Sequence, residues 1–226
     1  KYNDCQIGRL CQFDNSFSQY EGNSSQDMAS LRTQIEKIMS RTYTICDTSK
    51  PKAVKITNQN LHRDVDIVTS SWFQSLDYVL DGMPENERGI KIYNKSTGLS
   101  EGPDYPFLSI SRINQRSADT NGRLKRMIRF LKNVRTDSEK DIPLTSFEIN
   151  AICYSIPVQD YVQKEYKDLV YILWHTMFHL WNDGKQDDLK SVVGNEYVFK
   201  DKPEKLAALK VLEDEVYKIN KDLGNI

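Results

Sequence analysis

The sequence has few cysteines, glycines and prolines, and it has no long apolar run. Its 226 residues contain four cysteines, ten glycines and seven prolines. The cysteines lack the spacing of metal-ligand pairs and are too few for a disulfide scaffold in a chain of this size, which predicts a reducing, cytoplasmic location. No apolar segment approaches the roughly 20 residues of a membrane-spanning helix. The opening residues, KYNDCQIGRL, have no signal-peptide core, so we expect no membrane association.

The chain also lacks an excess of either charge. It has 31 lysines and arginines against 32 aspartates and glutamates, a net charge of −1. A chain with so little net charge has no global attraction for nucleic acids or membranes, so electrostatic binding must come from local patches. A hydrophobic content of 38% and a charged content of 28% are typical of a globular protein with a substantial core.

Hydrophobic periodicity predicts strands in the first half of the chain and helices in the second. We expect Ser25 or Asp27 to cap the first helix and Thr145 or Ser146 to cap a later one. The order of elements predicts an α+β fold, with a small mixed sheet in residues 1–115 and a helical lobe in residues 116–226. The predicted strands are 5–13, 53–56, 65–72 and 88–98, and the predicted helices are 27–43, 123–136, 145–156, 159–182 and 203–224.

Two aspartates stand two residues apart in LHRDVDIVTSSW, residues 61–72. Side chains alternate along a strand, so Asp64 and Asp66 project from the same side. Adjacent carboxylates repel each other and lose hydration when they are covered. A bound cation, a basic partner or an exposed face would each explain the pair. Mg²⁺ prefers one or two carboxylates together with substrate phosphates, which makes Asp66 and Asp64 candidate metal ligands.

A basic helix and a polar helix start follow the acidic strand. RLKRMIRFLKNVRT, residues 123–136, carries Lys125, Arg129 and Lys132 on one side, and TSFE opens the next helix with Ser146 and Phe147. A lysine, the N–H groups and hydroxyls of a helix N-terminus and an aromatic ring can together form a nucleotide pocket. The alternative is an ordinary solvated helix face.

In this order, the motifs resemble those of the nucleotidyltransferases of the DNA polymerase β superfamily. The resemblance is strongest to oligoadenylate synthases, cyclic GMP–AMP synthase and their bacterial relatives in phage defence. HRDVDIVTSSW is similar to the third-carboxylate strand of the family, which makes Asp66 a metal-binding acid with Asp64 beside it. RLKRMIRFLKNVR resembles the spine helix, whose late lysine, here Lys132, contacts nucleotide phosphates. TSFEINAICYS resembles the next helix, where Ser146 would hold phosphate and Phe147 would stack a base.

This resemblance implies a sheet lobe and a helical lobe with an active-site cleft between them. The implied activity uses nucleoside triphosphates and two Mg²⁺ or Mn²⁺ ions to make oligonucleotides or cyclic nucleotides, or to nucleotidylate an acceptor, in antiviral defence signalling. The basic residues of the spine helix, Arg129 among them, would bind substrate phosphates. The same residues suit an activating nucleic acid, and a protein activator is the other partner class implied.

One part of the family pattern is not found upstream of Asp66. The family uses a Gly-Ser turn and a D-x-D strand, and Ile7 and Arg9 would occupy the two acid positions if IGRLCQF were that strand. Acids from a single strand cannot hold two metal ions about 3.5–4 Å apart. Two explanations fit: an upstream part is missing from the chain, or the fold is an inactive binding module. A toxin–antitoxin component is a third alternative.

Two other features have simpler interpretations. His175 and His179 have the i, i+4 spacing of a zinc pair, but no glutamate follows His175 as in H-E-x-x-H, and the neighbours are aromatic. We therefore expect the two histidines to pack rather than to bind metal. Ser70, Ser71 and Cys153 have no local signature of an activated nucleophile, and we expect them to be chemically inert.

Overall fold

The computed structural model describes residues 22–58, 63–162 and 164–224. The chain divides into two compact units, Lys1–Leu108 and Ser109–Ile226. Helix Pro106–Asp119 contains both this division and the boundary predicted after residue 115. The strand predicted at residues 5–13 lies outside the described residues. In the described part of the chain, no helix is long and apolar enough to cross a bilayer.

The first unit contains two small antiparallel sheets and a long helix. The elements are α1 (Ser24–Thr42), β1 (Cys46–Asp47), β2 (Ala53–Asn58), β3 (Arg63–Val68), β4 (Ser70–Phe73), α2 (Leu76–Leu80), a 3₁₀ turn (Glu85–Glu87), β5 (Gly89–Asn94) and β6 (Leu99–Asp104). One sheet has the strand order β1-β2-β3 and the other β4-β5-β6.

The sequence prediction of one strand over residues 65–72 is wrong, because the chain changes sheet at Thr69. Val68 is the last residue of β3 and pairs with Ala53, the first residue of β2. Pro51 lies just upstream of Ala53 and has no N–H group to continue that ladder. Beyond the buried Thr69, Ser70 pairs instead with Ile92 of β5.

Helix α1 is tied to the first sheet by a buried arginine. Asn23 caps the helix by accepting a hydrogen bond from the Gln26 N–H at 3.2 Å, so the cap predicted at Ser25 or Asp27 is wrong by a few residues. The Arg32 guanidinium is 2% exposed and donates to the carbonyl oxygens of Lys50 at 2.8 Å and Ala53 at 2.9 Å. It thereby satisfies backbone acceptors at the start of β2.

The second unit is helical. Its elements are α3 (Pro106–Asp119, which begins in the first unit), α4 (Arg123–Asp137), α5 (Ser146–Ser155), α6 (Val158–Tyr161), α7 (Tyr166–Asn182), a 3₁₀ turn (Lys185–Asp188) and α8 (Pro203–Asp222). Apolar residues at helical spacing on α4, α5, α7 and α8 form one buried cluster, with Leu124, Leu131, Ile152, Leu173 and Leu209 fully enclosed.

The α+β fold class is confirmed, since small sheets precede a helical unit. All strand pairs in the described ranges are antiparallel, whereas a mixed sheet was expected. The helix predicted over residues 159–182 is interrupted: α6 ends at Tyr161 and α7 begins at Tyr166.

Candidate functional site

The two aspartates of β3 lie on one exposed face of the first sheet. Asp64 is opposite Thr57 and Asp66 is opposite Lys55 in the β2–β3 ladder. Because directly opposed residues project to the same side, these four side chains form one polar face. Val54 and Ile56 of β2 point to the other face and are buried. The strand therefore presents both carboxylates on one side, as the alternation predicted, and this side is exposed to solvent.

Asp64 is fully engaged by its cross-strand neighbours. Its two carboxylate oxygens accept a hydrogen bond from the Thr57 hydroxyl at 2.8 Å and form an ion pair with the Lys55 ammonium at 2.5 Å. The hydrogen bond from Lys55, followed by that from Thr57, lowers the pKa of Asp64, and the same pair raises the pKa of Lys55. Each oxygen keeps a further lone pair, so a metal ion at Asp64 would compete with Lys55 and Thr57 for the carboxylate.

Asp66 is the more accessible carboxylate of the pair. Its side chain is 58% exposed, and the Lys50 ammonium approaches it only to 3.6 Å, beyond a direct hydrogen bond. The described residues contain no cluster of three histidine, cysteine or acidic side chains that could enclose a metal ion. Asp66 therefore fits one ligand position of a metal site, but the acids of β3 do not form a two-metal centre by themselves.

A pocket of about 550 Å³ opens next to the aspartate strand, within the first unit. The Trp72 and Phe107 rings lie 5.5 Å apart between centroids, and both are substantially exposed. The volume is in the range of small-molecule sites. Sequence reasoning missed this pocket, because its lining comes from segments that are distant in the sequence, including β4, β5 and the start of α3. The lining residues are Val68, Ser70, Ser71, Trp72, Ile90, Ile92, Asp104, Pro106 and Phe107.

The basic residues predicted to bind phosphate lie on α4 in the second unit. Arg129 is exposed and its Nε donates to the Lys125 carbonyl at 3.4 Å. Lys132 is half-buried, and desolvation, with a smaller contribution from Arg135, lowers the pKa of its ammonium group. A partly desolvated ammonium interacts strongly with an anion, because water screens it less.

Ser146 and Phe147 begin helix α5. Thr145 is the N-cap and accepts a hydrogen bond from the Phe147 N–H at 3.1 Å. Glu148 completes a capping box by accepting from the Thr145 N–H at 2.6 Å, and it pairs with Lys205 at 3.1 Å. Ser146 and Phe147 are left exposed at the positive end of the helix dipole, where an anion is stabilised.

The predicted site residues therefore form two groups, one in each unit. Asp64 and Asp66 share a face of the first sheet, and the second group lies on neighbouring helices of the helical unit. The thiol of Cys153 is fully buried, and burial raises its pKa, which fits the inert role expected for it.

The histidine pair of α7 packs among aromatic rings. The His175 and His179 rings are 4.2 Å apart between centroids, and His175 lies 5.9 Å from the Tyr171 ring. His179 Nδ1 is 2.9 Å from an oxygen of Asp183. This hydrogen bond, together with those from Asn182 and Lys185, lowers the pKa of Asp183 to about 2. In the ranges that the structure describes, no third metal ligand completes the pair. The contacts agree with the packing role predicted.

Comparison with known proteins identifies the class to which this arrangement belongs. Residues 111–220 match the model of the cGAS/DncV-like nucleotidyltransferase C-terminal helical domain. The matched residues therefore belong to the cGAS/DncV-like C-terminal helical domain, and the resemblance inferred from the motifs is confirmed.

Among individual proteins, the chain is similar to several c-di-GMP synthases. The chain is 70% identical, over 223 residues, to a c-di-GMP synthase of Lachnospiraceae bacterium (strain RUG226), covering 99% of this chain and 64% of the relative. The structure of a STING-associated CdnE c-di-GMP synthase from Capnocytophaga granulosa matches with a TM-score of 0.79 at 45% identity, covering 89% of this chain and 65% of that one. A STING-associated CdnE c-di-GMP synthase from Flavobacteriaceae sp. matches with a TM-score of 0.79 at 38% identity, over 99% of this chain and 63% of that one. The chain thus spans slightly less than two thirds of the length of these relatives.

Proposed function

We propose that this chain belongs to an enzyme that joins two molecules of GTP into cyclic di-GMP. Its 70% identity to a c-di-GMP synthase supports the choice of product. Each of the two phosphodiester bonds would form when the 3′-hydroxyl of one nucleotide attacks the α-phosphorus of the other and pyrophosphate leaves. The observation in this chain that carries the proposal is the exposed Asp66 carboxylate on a strand face that also bears lysines. Two of the related structures are STING-associated synthases, which supports a second-messenger role in antiviral defence.

Asp66 is proposed as a ligand for Mg²⁺ or Mn²⁺, with Asp64 in a supporting role. Among the residues that the structure describes, none forms a direct hydrogen bond with the Asp66 carboxylate, whereas Asp64 holds Lys55 and Thr57 in place beside it. When bound, divalent metal ions in such enzymes activate the attacking hydroxyl and neutralise charge on the phosphates. The β3 aspartates do not hold a metal pair alone, so the proposal requires further carboxylates from other residues of the enzyme.

The helical unit is proposed to supply the contacts to the nucleotide. Lys132 and Arg129 would pair with phosphate oxygens, and Ser146 would add its hydroxyl and the N–H groups of the α5 start. The exposed Phe147 ring, with 39% of its surface accessible, would stack one base. The half-buried state of Lys132 supports its assignment as the principal phosphate contact.

A nucleotide-binding module without synthase activity is the second candidate. It is favoured by one observation: the described residues hold no three-ligand metal cluster. In this case the helical unit would bind nucleotides, while the β3 face would have no catalytic role.

The test of synthase activity is product formation by the whole enzyme to which this chain belongs, from GTP labelled at the α-phosphate, with Mg²⁺ or Mn²⁺ present. We expect a phosphatase-resistant cyclic dinucleotide, and we expect Asp66→Asn to reduce its rate of formation by about 100-fold or more, as for loss of a metal ligand. Asp81→Asn, in an exposed turn after α2, is the matched control and should leave the rate unchanged. Product formation that survives Asp66→Asn would contradict the assignment. GTP binding without product would support the module instead.

A further inference from the structure

We propose that the pocket between β4, β5 and the start of α3 binds the guanine base of a GTP substrate, and that Asp104 selects guanine over adenine. This inference rests on the proposed function for the identity of the nucleotide. A cyclic dinucleotide requires two bound nucleotides and hence two base sites. Phe147 is assigned to one base, and the pocket is available for the other.

The position of the pocket suits a nucleotide whose phosphates reach Asp66. Val68 lines the pocket and lies two residues after Asp66 on the same face of β3. Two residues of a strand span about 7 Å, which is close to the distance from a purine base to its α-phosphate. Both groups belong to the first unit, so one nucleotide could contact the acid and the pocket together.

The walls of the pocket suit a flat aromatic ring. The Trp72 side chain is 50% exposed and that of Phe107 is 44% exposed, although both are large apolar groups. The Arg88 guanidinium lies 4.3 Å from the centre of the Trp72 ring and fixes the orientation of the indole. Ile90 and Ile92 form the floor. Exposed aromatic rings beside an aliphatic floor are the surroundings in which proteins stack nucleobases.

A bulge in β6 turns the Asp104 carboxylate toward this pocket. Glu101 pairs with Ile92 and Asp104 pairs with Ile90, so three residue steps on β6 match two on β5. Residues three apart in a regular strand would point to opposite faces, but the bulge places both acids on the face of the isoleucines. Gly102 lies within the bulge at φ 125°, a backbone conformation that side-chain-bearing residues rarely adopt.

The chemistry of Asp104 matches guanine and not adenine. A carboxylate only accepts hydrogen bonds, and guanine presents two adjacent donors, N1–H and the N2 amino group, on its Watson–Crick edge. Adenine presents an acceptor, N1, at the corresponding position. The Tyr105 N–H donates to Asp104 Oδ1 at 2.7 Å, which holds the carboxylate in place while leaving lone pairs to accept from a base. Glu101, the other acid on this face, is already bonded to Asn94 at 2.7 Å and to Lys52 at 2.5 Å.

The test measures binding of GTP, ITP, ATP and XTP to the full 226-residue chain by equilibrium dialysis. We expect affinity in the order GTP, ITP, ATP, with about 10- to 100-fold between GTP and ATP, because hydrogen bonds to a charged acceptor are lost. Asp104→Asn should remove this preference and improve XTP binding, because an amide can accept from xanthine N1–H and donate to its 2-carbonyl oxygen. The amide oxygen still accepts from Tyr105, so the variant should fold with an unchanged melting temperature.

Asp81→Asn makes the same chemical change on an exposed turn and should keep the order of the parent chain. An unchanged GTP-to-ATP ratio in Asp104→Asn, or a parent chain that does not prefer GTP, would overturn the inference. Because the readout is binding, it is separate from synthesis. An enzyme that contains this chain, makes no product from GTP and still shows the Asp104-dependent preference would refute the synthase and keep the guanine site. A synthase whose base preference does not depend on Asp104 would refute the guanine site and keep the proposed synthase activity.

Discussion

At the scale of single residues, Glu213 is a half-buried acid that no part of the proposed mechanism uses. It lies on α8 and accepts a hydrogen bond from Trp174 Nε1 of α7 at 2.5 Å. Burial raises the pKa of its carboxyl above the ordinary value, despite this hydrogen bond. A raised pKa means that the folded protein holds the proton more tightly than the unfolded chain does. The stability linked to Glu213 is therefore present at acidic pH and is lost as pH rises through the raised pKa.

We expect Glu213→Gln to raise the melting temperature at pH 7, since the glutamine oxygen still accepts from Trp174 and carries no charge to desolvate. The gain should shrink as pH falls and should disappear below the ordinary glutamate pKa of about 4.3. Thermal unfolding from pH 4 to 8 is the measurement, with the exposed Glu196→Gln as control. A pH-independent difference between Glu213→Gln and the parent would show that charge is not the cause.

At the scale of elements, helix α5 depends on its N-cap, Thr145. The residue proposed to bind phosphate is a different one, the adjacent Ser146. The Thr145 hydroxyl accepts from the Phe147 N–H and also contacts Glu148, whereas the neighbouring Ser146 is exposed. The helix start therefore contains one residue that stabilises the fold and one that faces solvent.

Thr145→Ala should lower the free energy of unfolding by about 1 kcal/mol, the typical effect of losing a threonine cap. Ser146→Ala should change it by less than about 0.5 kcal/mol, because an exposed side chain is removed, but it should weaken GTP binding. Urea unfolding and equilibrium dialysis measure the two effects separately. If Ser146→Ala destabilises the chain as much as Thr145→Ala does, its hydroxyl has a structural role and its assignment to phosphate fails.

The boundaries of α4, α5 and α8 were well predicted from the sequence, whereas α3 was not predicted and the break between α6 and α7 was not expected. The prediction of a helix over residues 123–136 corresponds to Arg123–Asp137, and Thr145 is one of the two caps expected. These features are local, since a helix start is set by a cap and a helix face by spacing. The β side was less predictable. The exchange of strand partners at Thr69 and the strand β6, which contains Gly102 and Pro103, depend on pairing between distant segments.

The same distinction explains which parts of the site could be predicted. Strand alternation alone placed Asp64 and Asp66 on one side. The engagement of Asp64 by Lys55 and Thr57 follows from the β2–β3 register, which no local pattern encodes. The position of Asp104 in the pocket depends on a backbone bulge that only the pairing of β5 with β6 reveals.

At the scale of the whole molecule, the two units are stabilised by different means. The second unit has an extended apolar cluster shared by four helices. The first has few buried apolar side chains and relies on polar links such as Arg32, whose side chain bonds to Glu36 at 2.9 Å and to backbone carbonyls. Lys95 bonds to the same Glu36 at 2.9 Å, which extends the link to the turn after β5.

The net charge of −1 provides no overall electrostatic attraction for a triphosphate. Binding of GTP should therefore depend on individual cations and not on total charge. We expect Lys132→Gln to weaken GTP binding by about 10- to 100-fold, the effect of losing one charge-assisted hydrogen bond. The dependence of affinity on salt concentration should also become shallower.

Lys221→Gln, in the last turn of α8, removes the same charge from the molecule and serves as the control. Equilibrium dialysis at several ionic strengths measures both variants. If the triphosphate responds to the local ammonium group, Lys221→Gln should match the parent at every salt concentration. Equal weakening by the two substitutions would mean that GTP responds to total charge, and Lys132 would then lose its place in the proposed site.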